Sequence, residues 1–170
     1  MRLETARLVL RPPSLDDQAV AGELAGDPEV MRFIGGTLPA ERFVAQWVDW
    51  WDTDRIGPFL VERRADGRFL GRVGVHTWDT RTWSLTTHAE AGAFAQPELG
   101  WALVRKAWGN GYATEAARAV RDWHGVDQLV SVIAPDNVGS QAVARRLGGS
   151  PGETVLLFET RPAVVWRYSA

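Results

Sequence analysis

Two glycines, Gly109 and Gly111, interrupt the chain between a strand-like segment and an alanine-rich segment. Residues 98–104 predict a strand, and residues 112–124 predict a helix. Glycines at such a junction allow a tight turn and let backbone N–H groups approach a ligand closely. The helix start adds unpaired donors and the positive end of the helix dipole. The pattern therefore predicts an anion site, of the kind that holds a pyrophosphate.

Two common phosphate loops do not fit the spacing. A P-loop requires Gly-Lys-Ser or Gly-Lys-Thr after a four-residue spacer, and no such run is present. A dinucleotide fingerprint requires a third glycine at the position of Thr114. The turn also lies late in the chain, whereas a Rossmann loop usually follows the first strand. A generic nucleotide-binding domain is therefore the weaker alternative.

A second strand–helix junction follows about thirty residues downstream. Residues 129–133 predict a β-branched strand, and Pro135-Asp136-Asn137-Val138-Gly139-Ser140 leads into a helix that ends at Gly148-Gly149. Asn137 suits the capping position of that helix, which is its simplest interpretation. Ser140 lies in the first helical turn, where its hydroxyl is free to contact a ligand.

The two junctions together resemble those of the GNAT superfamily of N-acetyltransferases. That family has Arg/Gln/Lys-x-x-Gly-x-Gly before one helix and Asn-x-x-Ser before the next. Residues 5–12, 97–103 and 108–116 are similar to the branch that contains the ribosomal-protein N-terminal acetyltransferases. The resemblance runs in the family's order from Leu3 to about Gly148, and it identifies the chain as a member.

The order of the predicted elements, strands first and then helices alternating with strands, indicates one α/β or α+β domain over residues 1–170. The resemblance implies the acetyltransferase fold. In that fold a mixed, twisted sheet of about seven strands has helices on both faces. Two central strands splay apart, and cofactor and acceptor meet between them.

Local signals predict the remaining elements. Asp66-Gly67 predicts a hairpin between strands at 59–63 and 69–78. Residues 79–96 are polar and predict a long loop. The other predictions are a strand at 7–11, a helix from the capping box at 14–17 to about 25, a helical turn through Phe33 ended by Gly35-Gly36, a helix starting near Pro39, and a closing hairpin of 154–158 and 164–168 with Pro162 in its turn.

The resemblance implies that acetyl-CoA lies along the strand before the glycine turn. Its pantetheine amides would pair with the main chain at Trp101, Ala102 and Leu103. Its pyrophosphate would contact the backbone N–H groups of Trp108, Gly109, Asn110, Gly111, Tyr112 and Ala113, beside Lys106, a position that is often Arg or Gln in the family. Asn137 would contact the pantetheine arm, and Ser140 would lie near the sulfur.

The chain departs from the family at two positions near the expected sulfur. The family's tyrosine, seven residues after the asparagine, is Ala144 here, and the usual Gly-Phe end of the helix is Gly148-Gly149, which predicts thinner packing beneath the site. Thiols titrate near pH 8.5, so a thiolate leaving group needs little help. Ser140, or a water molecule that it holds, is therefore the predicted proton donor.

Glu98 is the acidic residue of the predicted cofactor strand and the first candidate for a base, acting through water. The alternative is a strand-end charge held by an arginine. His76 and Trp78 share one face of the third strand, and His76 could relay a proton near neutral pH. Trp47 and Trp51 lie on an aromatic helix stripe with Phe43 and Trp50. Either this stripe is core, or part of it walls the acceptor pocket with His76 and Trp78.

The acceptor must present a neutral amine to the thioester. Deprotonation at pH 7 costs about 4.6 kcal/mol for a lysine side chain and about 1.4 kcal/mol for an α-amine. With no strongly placed base, acceptors of low amine pKa are favoured, such as a peptide or protein N-terminus, although a small-molecule amine also fits. Direct attack in a ternary complex is implied. An acyl-CoA-binding sensing domain without efficient catalysis is the alternative, and turnover would separate the two.

The amino-acid composition argues against several classes of binding partner and site. The net charge of −2, with acids and arginines interspersed, argues against nucleic acid or an anionic membrane as a partner. The absence of cysteine excludes disulfides, thiol nucleophiles and zinc–thiolate sites. No apolar run approaches a membrane span and no signal-peptide pattern is present, so a cytoplasmic location is expected. We expect no metal, and a monomer or homodimer.

Overall fold

The computed structural model describes residues 1–34, 39–125 and 128–168. Within these ranges nine strands, β1 to β9, run over Leu3–Glu4, Leu8–Arg11, Pro58–Arg63, Phe69–Asp79, Ser84–Thr86, Ala95–Leu103, Val130–Ile133, Gly149–Leu157 and Arg161–Tyr168. Six helices, α1 to α6, run over Gln18–Ala25, Pro28–Ile34, Ala40–Thr53, His88–Ala91, Tyr112–His124 and Val138–Arg146. They flank an open sheet in the order β1-β2-β3-β4-β6-β7-β9-β8, with β5 paired to β4. The predicted fold class is confirmed.

The sheet is split between β6 and β7. All other neighbouring strands are antiparallel, but β6 and β7 run parallel and pair at a single position, Glu98 with Val130. Two side-chain hydrogen bonds connect β6 and β7 at the point where the strands separate. Oε1 of Glu98 accepts from the Val132 amide over 3.0 Å, and Oγ of Ser131 donates to the Leu99 carbonyl over 2.5 Å. The splayed cleft implied by the resemblance is therefore present.

Helix α5 follows the predicted bounds because both of its ends are fixed by glycine. Gly111 precedes it with φ 78°, and Gly125 ends it with φ 67°. These are left-handed conformations that favour glycine. Between them Ala116, Ala117 and Val120 are fully buried, and the small side chains allow the helix to lie close to β4 and β6.

The hairpin of β3 and β4 is also as predicted, with Gly67 at φ 68° in its turn. Two-residue alternation along β4 places Arg72, His76 and Trp78 on one face and the core residues Val73 and Val75 on the other. In the ladder with β6, His76 lies opposite Glu98. This register brings the two candidate proton-transfer residues together.

The prediction of a long loop over residues 79–96 is wrong. The segment contains β5, α4, a short 3-10 turn and the start of β6. Helix α4 begins with a capping box: Oγ1 of Thr87 accepts from the Glu90 amide, and the Glu90 carboxylate accepts from the Thr87 amide. Together with β1, the short strand β5 raises the sheet to nine strands rather than about seven.

Two further predictions differ from the structure, and a third lies outside the described residues. Helix α1 begins at Gln18, and only half of the predicted capping box forms before it. The Asp17 carboxylate accepts from the Ser14 amide, but Oγ of Ser14 donates to that carboxylate instead of accepting from the Asp17 amide. Pro162 lies inside β9, paired with Leu156, while the turn is made by Phe158 and Glu159 with positive φ. The predicted end at Gly35-Gly36 lies outside the described residues.

No helix in the described ranges is long and apolar enough to cross a membrane.

Candidate functional site

A cavity of about 420 Å³ occupies the cleft where β6 and β7 part. Its walls come from α3, β4 and β6 on one side, and from β7 and the start of α6 on the other. The residues that matter for chemistry are Trp47, Trp50, Arg72, His76, Trp78, Glu98, Trp101, Asn137 and Ser140. The fold thus brings the second sequence junction, the strand that precedes the glycine turn and three of the candidate acceptor residues, Trp47, His76 and Trp78, to one cavity.

The glycine turn has the geometry of an anion site. Gly109 and Gly111 adopt φ 75° and 78°, and Gly111 caps α5 without any side-chain hydrogen bond. Backbone N–H groups from Gly109 to Thr114 find no acceptor among the residues that the structure describes. Consecutive free amides at a helix N-terminus favour a phosphate group.

The glycine turn is held from the other end of the chain. Arg7 donates through Nη1 to the Asn110 carbonyl over 3.0 Å and through Nε to Glu115 over 2.7 Å. Glu115 also accepts from Oγ1 of Thr5 over 2.6 Å. Burial opposes ionisation of Glu115, but the bonds from Thr5 and Arg7 outweigh it and hold its pKa below the usual value. Thr5 and Arg7 belong to the segment that resembles the family, but nothing in the sequence indicates this role.

The other predicted residues of the turn have different tasks. Trp108 donates through Nε1 to the Leu103 carbonyl over 2.8 Å, and Nδ2 of the Asn110 side chain donates to the Trp108 carbonyl over 2.9 Å. Tyr112 lies beneath Arg7, with 4.7 Å from the guanidinium to the ring centroid. Lys106 is exposed, and its ammonium makes no ion pair in the described ranges. The side chains therefore shape the turn and leave its amides for a ligand.

The strand beside the cleft offers a free edge. Because β6 pairs with β7 only at Glu98, the backbone at Trp101, Ala102 and Leu103 has no strand partner on that side. The Leu103 carbonyl already accepts from Trp108. An extended ligand could pair with this edge as an added strand does.

The second junction is organised by Asn137. Its Oδ1 accepts from the Ser140 amide over 3.0 Å, which caps α6 as the sequence suggested. Oγ of Ser140 accepts from Nε1 of Trp101 over 3.1 Å. Because Asn137 caps the helix through Oδ1, its side-chain NH₂ group is free to contact a ligand in the cavity. Because Ser140 accepts from Trp101 through its oxygen, its hydroxyl hydrogen is also free to do so.

Gly149, where the family usually has Phe, has no room for a larger side chain. A Cβ on Gly149 would lie 2.9 Å from Cε1 of Tyr168, whose ring covers this position. Burial, as the largest influence, raises the pKa of Tyr168 to about 12, and its hydroxyl pairs with Ser131 over 2.6 Å. The expected thin packing is therefore wrong, because Tyr168 fills the space.

Glu98 is buried in the middle of β6, with 6% of its surface exposed. Its carboxylate accepts from Nε2 of His76 over 2.7 Å, from Nε1 of Trp78 and from the Val132 amide. Burial by itself would raise the pKa of Glu98, but His76 and these donors outweigh it and lower the pKa below its usual value. It therefore lies neither at a strand end nor in an ion pair with an arginine of the described ranges. Three donors leave it a weak base.

His76 points the other ring nitrogen away from Glu98. Because Nε2 donates to the carboxylate, Nδ1 of the neutral imidazole carries the lone pair. The ring stacks on Trp50 with centroids 5.6 Å apart and an angle of 17°, and its Cε1 would lie 3.1 Å from a Cβ on Gly100. The carboxylate and Trp50 thus fix an imidazole that can accept a proton at the cavity.

Of the predicted acceptor residues, Trp47, His76 and Trp78 line the cavity, but Trp51 does not. Its ring packs on Phe59 at 4.8 Å and Trp123 at 5.8 Å, and its Nε1 donates to the Pro58 carbonyl. Successive helix residues differ by about 100° in direction, so the cavity position falls to Trp50 instead. The aromatic stripe is therefore divided between core and cavity.

Comparisons with known proteins agree with this architecture. Residues 7–150 match the sequence profile of the acetyltransferase (GNAT) domain family. YkkB of Bacillus subtilis, an uncharacterised protein, is 30% identical to this chain. The match covers 99% of this chain and 96% of YkkB. A crystal structure of an acetyltransferase from Agrobacterium tumefaciens has a TM-score of 0.79 at 28% identity, covering 100% of this chain and 95% of that one.

A more distant structure shares the fold with a bound coenzyme. RimL, a ribosomal alpha-N-protein acetyltransferase in complex with coenzyme A, has a TM-score of 0.73 at 12% identity, covering 98% of this chain and 96% of that one. The fold and the family match together define an acetyltransferase. The chain belongs to the GNAT acetyltransferase family, whose members use acetyl-CoA. Groups of three or more potential metal ligands are absent from the described ranges.

Proposed function

We propose that this protein transfers the acetyl group of acetyl-CoA to a primary amine by direct attack in a ternary complex. One observation carries the proposal: a single cavity joins the His76 imidazole to the Ser140 hydroxyl across the split in the sheet. A proton acceptor and a proton donor on the two sides of one cleft are what amine acetylation requires.

The residues present fit acetyl-CoA. Free amides from Gly109 to Thr114 suit its pyrophosphate, and the unpaired edge of β6 suits its pantetheine amides. The Asn137 side chain lines the cavity at the far end of that edge. When bound, acetyl-CoA supplies an acetyl group activated as a thioester.

His76 is the proposed proton acceptor. The attacking amine must lose a proton. Nδ1 of His76 can accept it, because Nε2 is bonded to the buried Glu98 carboxylate and Nδ1 keeps its lone pair. Glu98 then holds the imidazole in one tautomer and stabilises its cation. The sequence favoured Glu98 itself as the base, through water, but a carboxylate with a lowered pKa and three donors suits this positioning role better.

Ser140 is the proposed proton donor to the departing thiolate. Its oxygen is held by the indole of Trp101, so its own hydrogen can turn to the cavity. The demand on it is modest because a thiolate is stable near pH 8.5. This role fits the absence of the family's tyrosine at Ala144, which is fully buried.

The acceptor is a peptide or protein N-terminus or a small amine. RimL, which shares the fold, is a protein α-N-acetyltransferase, and an α-amine loses its proton at less cost than a lysine side chain. A cytoplasmic location, and a monomeric or dimeric state, stay predictions.

The test combines two measurements on the intact chain. Calorimetry with acetyl-CoA reports binding, and free-thiol release is followed over a panel of amines and peptides. Products that keep the acetyl group in hydroxylamine are amides, whereas esters are cleaved. Acetyl-CoA binding with thiol release and amide products would support the proposal. Binding without thiol release for any amine would favour the sensing domain, and no binding would contradict both.

A further inference from the structure

Arg72 brings a positive charge into the acceptor side of the cavity. It lies on the same face of β4 as His76, four residues before the proposed base, and both line the cavity. Its guanidinium lies 5.6 Å from the ring centroid of Trp47, a wall of the same cavity. Among the described residues that line the cavity, it is the only lysine or arginine.

Among the described residues, the charge of Arg72 has no counter-ion. Its guanidinium makes no hydrogen bond or ion pair within residues 1–34, 39–125 and 128–168. Residues 35–38 are Gly-Gly-Thr-Leu and hold no acidic side chain. The gap at 126–127 holds Asp127, and the next residue, Gln128, accepts from Gln96, at the other end of β6 from Ala102, which lies opposite Arg72. Burial lowers the pKa of Arg72 to about 10, against the attraction of Glu98, so it stays protonated at neutral pH.

Glu98 cannot serve as the missing partner. Its carboxylate is already bound by His76, Trp78 and the Val132 amide. A partly buried cation without an anion is costly for the fold. The other partly buried arginines of the described residues have polar partners: Arg11 binds Asp17 and Glu62, and Arg161 donates to the carbonyls of Arg32 and Phe33. Arg72 is the exception among the described residues, and a bound ligand would supply its missing partner.

We propose that Arg72 binds a carboxylate of the acceptor, so that the acceptor is a primary amine that also carries a carboxylate group. The inference rests on the proposed function and names its substrate class. A planar guanidinium matches a carboxylate through two parallel hydrogen bonds. A single cation suits one negative charge better than a phosphate, and it repels polyamines and aminoglycosides. The rings of Trp47, Trp50 and Trp78 suit an apolar or aromatic body between amine and carboxylate.

The test uses matched pairs of amines that differ only in that carboxylate. Phenylalanine and its amide, 4-aminobutyrate and its amide, and short peptides with Asp or Asn as second residue cover small and peptide acceptors. Thiol release gives the ratio of kcat/KM for acid over amide in each pair. An amide also changes the pKa of a nearby amine, but that effect cancels when the ratio is compared between two enzymes.

In Arg72→Gln we expect the acid/amide ratio to fall by about ten- to a hundredfold for the preferred pair. Arg72→Lys should retain part of the preference. Arg145→Gln is the matched control, since Arg145 also lies over a ring, that of Trp166 at 5.1 Å, but outside the cavity. Calorimetry with acetyl-CoA checks that each variant is folded.

The outcomes separate the two proposals. Preference for the small acids or for the Asp peptides, lost in Arg72→Gln, supports the inference and tells which source supplies the carboxylate. Turnover with an acid/amide ratio that is the same in the wild type and Arg72→Gln overturns the inference and leaves the proposed function intact. Absence of thiol release with every amine overturns the proposed function, and the inference with it.

Discussion

Ser140 accepts a hydrogen bond from the indole of Trp101, and this bond crosses the split in the sheet from β6 to α6. An indole N–H is only a donor, so it fixes the serine oxygen without using the serine hydrogen. The same residue is tied through its backbone amide to Asn137. Two contacts thus orient one hydroxyl at the end of the cleft where a thiol would leave.

Ser140→Ala should lower kcat for acetyl transfer by roughly three- to tenfold, while acetyl-CoA affinity changes little. The loss is smaller than for most general acids because a thiolate needs little protonation. Steady-state thiol release measures it. Ser140→Thr, which keeps a hydroxyl, should recover most of the rate. Equal rates for the wild type and Ser140→Ala would exclude the proton-donor role.

His76→Gln should lower kcat/KM by about a hundredfold or more at neutral pH, because glutamine can donate to Glu98 but cannot take the amine's proton. The loss should shrink as pH rises, since more of the amine is then neutral in solution. A pH series of thiol release measures both effects. His88→Gln is the control, as His88 is exposed at the start of α4 and outside the cavity. A loss in His76→Gln that is constant with pH would argue for a structural role.

The sequence predicted the parts of the site that depend on local chemistry. The positive φ of Gly109 and Gly111, the bounds of α5 and the cap at Asn137 each follow from neighbours in the chain. The resemblance added the split sheet, which no local pattern encodes. The capping box of Thr87 and Glu90 is also encoded locally, as Thr-x-x-Glu, but the polar composition of residues 79–96 favours a loop and conceals the helix start.

Contacts between distant residues were out of reach. Arg7 and Glu115 lie 108 positions apart, and nothing in either segment marks them as partners. The choice between Trp50 and Trp51 depends on the rotation of α3 about its axis, which periodicity fixes only to within a residue. The isolation of Arg72 is a property of its surroundings, so it appears only when all neighbours are placed.

Glu98→Gln should destabilise the protein at pH 7 by about 1–3 kcal/mol, because the amide NH₂ must face one of the three donors. The pKa of Glu98 is lowered in the folded state, so its contribution to stability is present above the unfolded pKa, near 4.3, and is lost as pH falls through the folded pKa. The difference between wild type and variant should therefore shrink below about pH 4.

Urea unfolding of both proteins between pH 7 and pH 3 measures this difference. Other carboxylates with lowered pKa values, such as Asp17, are present in both proteins and cancel. A difference that stays constant to pH 3 would mean that the charge of Glu98 is not what the His76 and Trp78 contacts stabilise.

Gly109→Ala should raise the Kd for acetyl-CoA at least tenfold by disturbing the free amides of the glycine turn. Gly109 has φ 75°, which costs alanine about 1–2 kcal/mol, while an added Cβ would meet no atom within 4 Å. Gly67→Ala is matched in both respects, with φ 68° and open space, but lies in the β3–β4 hairpin. Calorimetry and urea unfolding should show similar losses of stability and a loss of affinity in Gly109→Ala alone. Equal affinities in the two variants would remove the turn from the binding site.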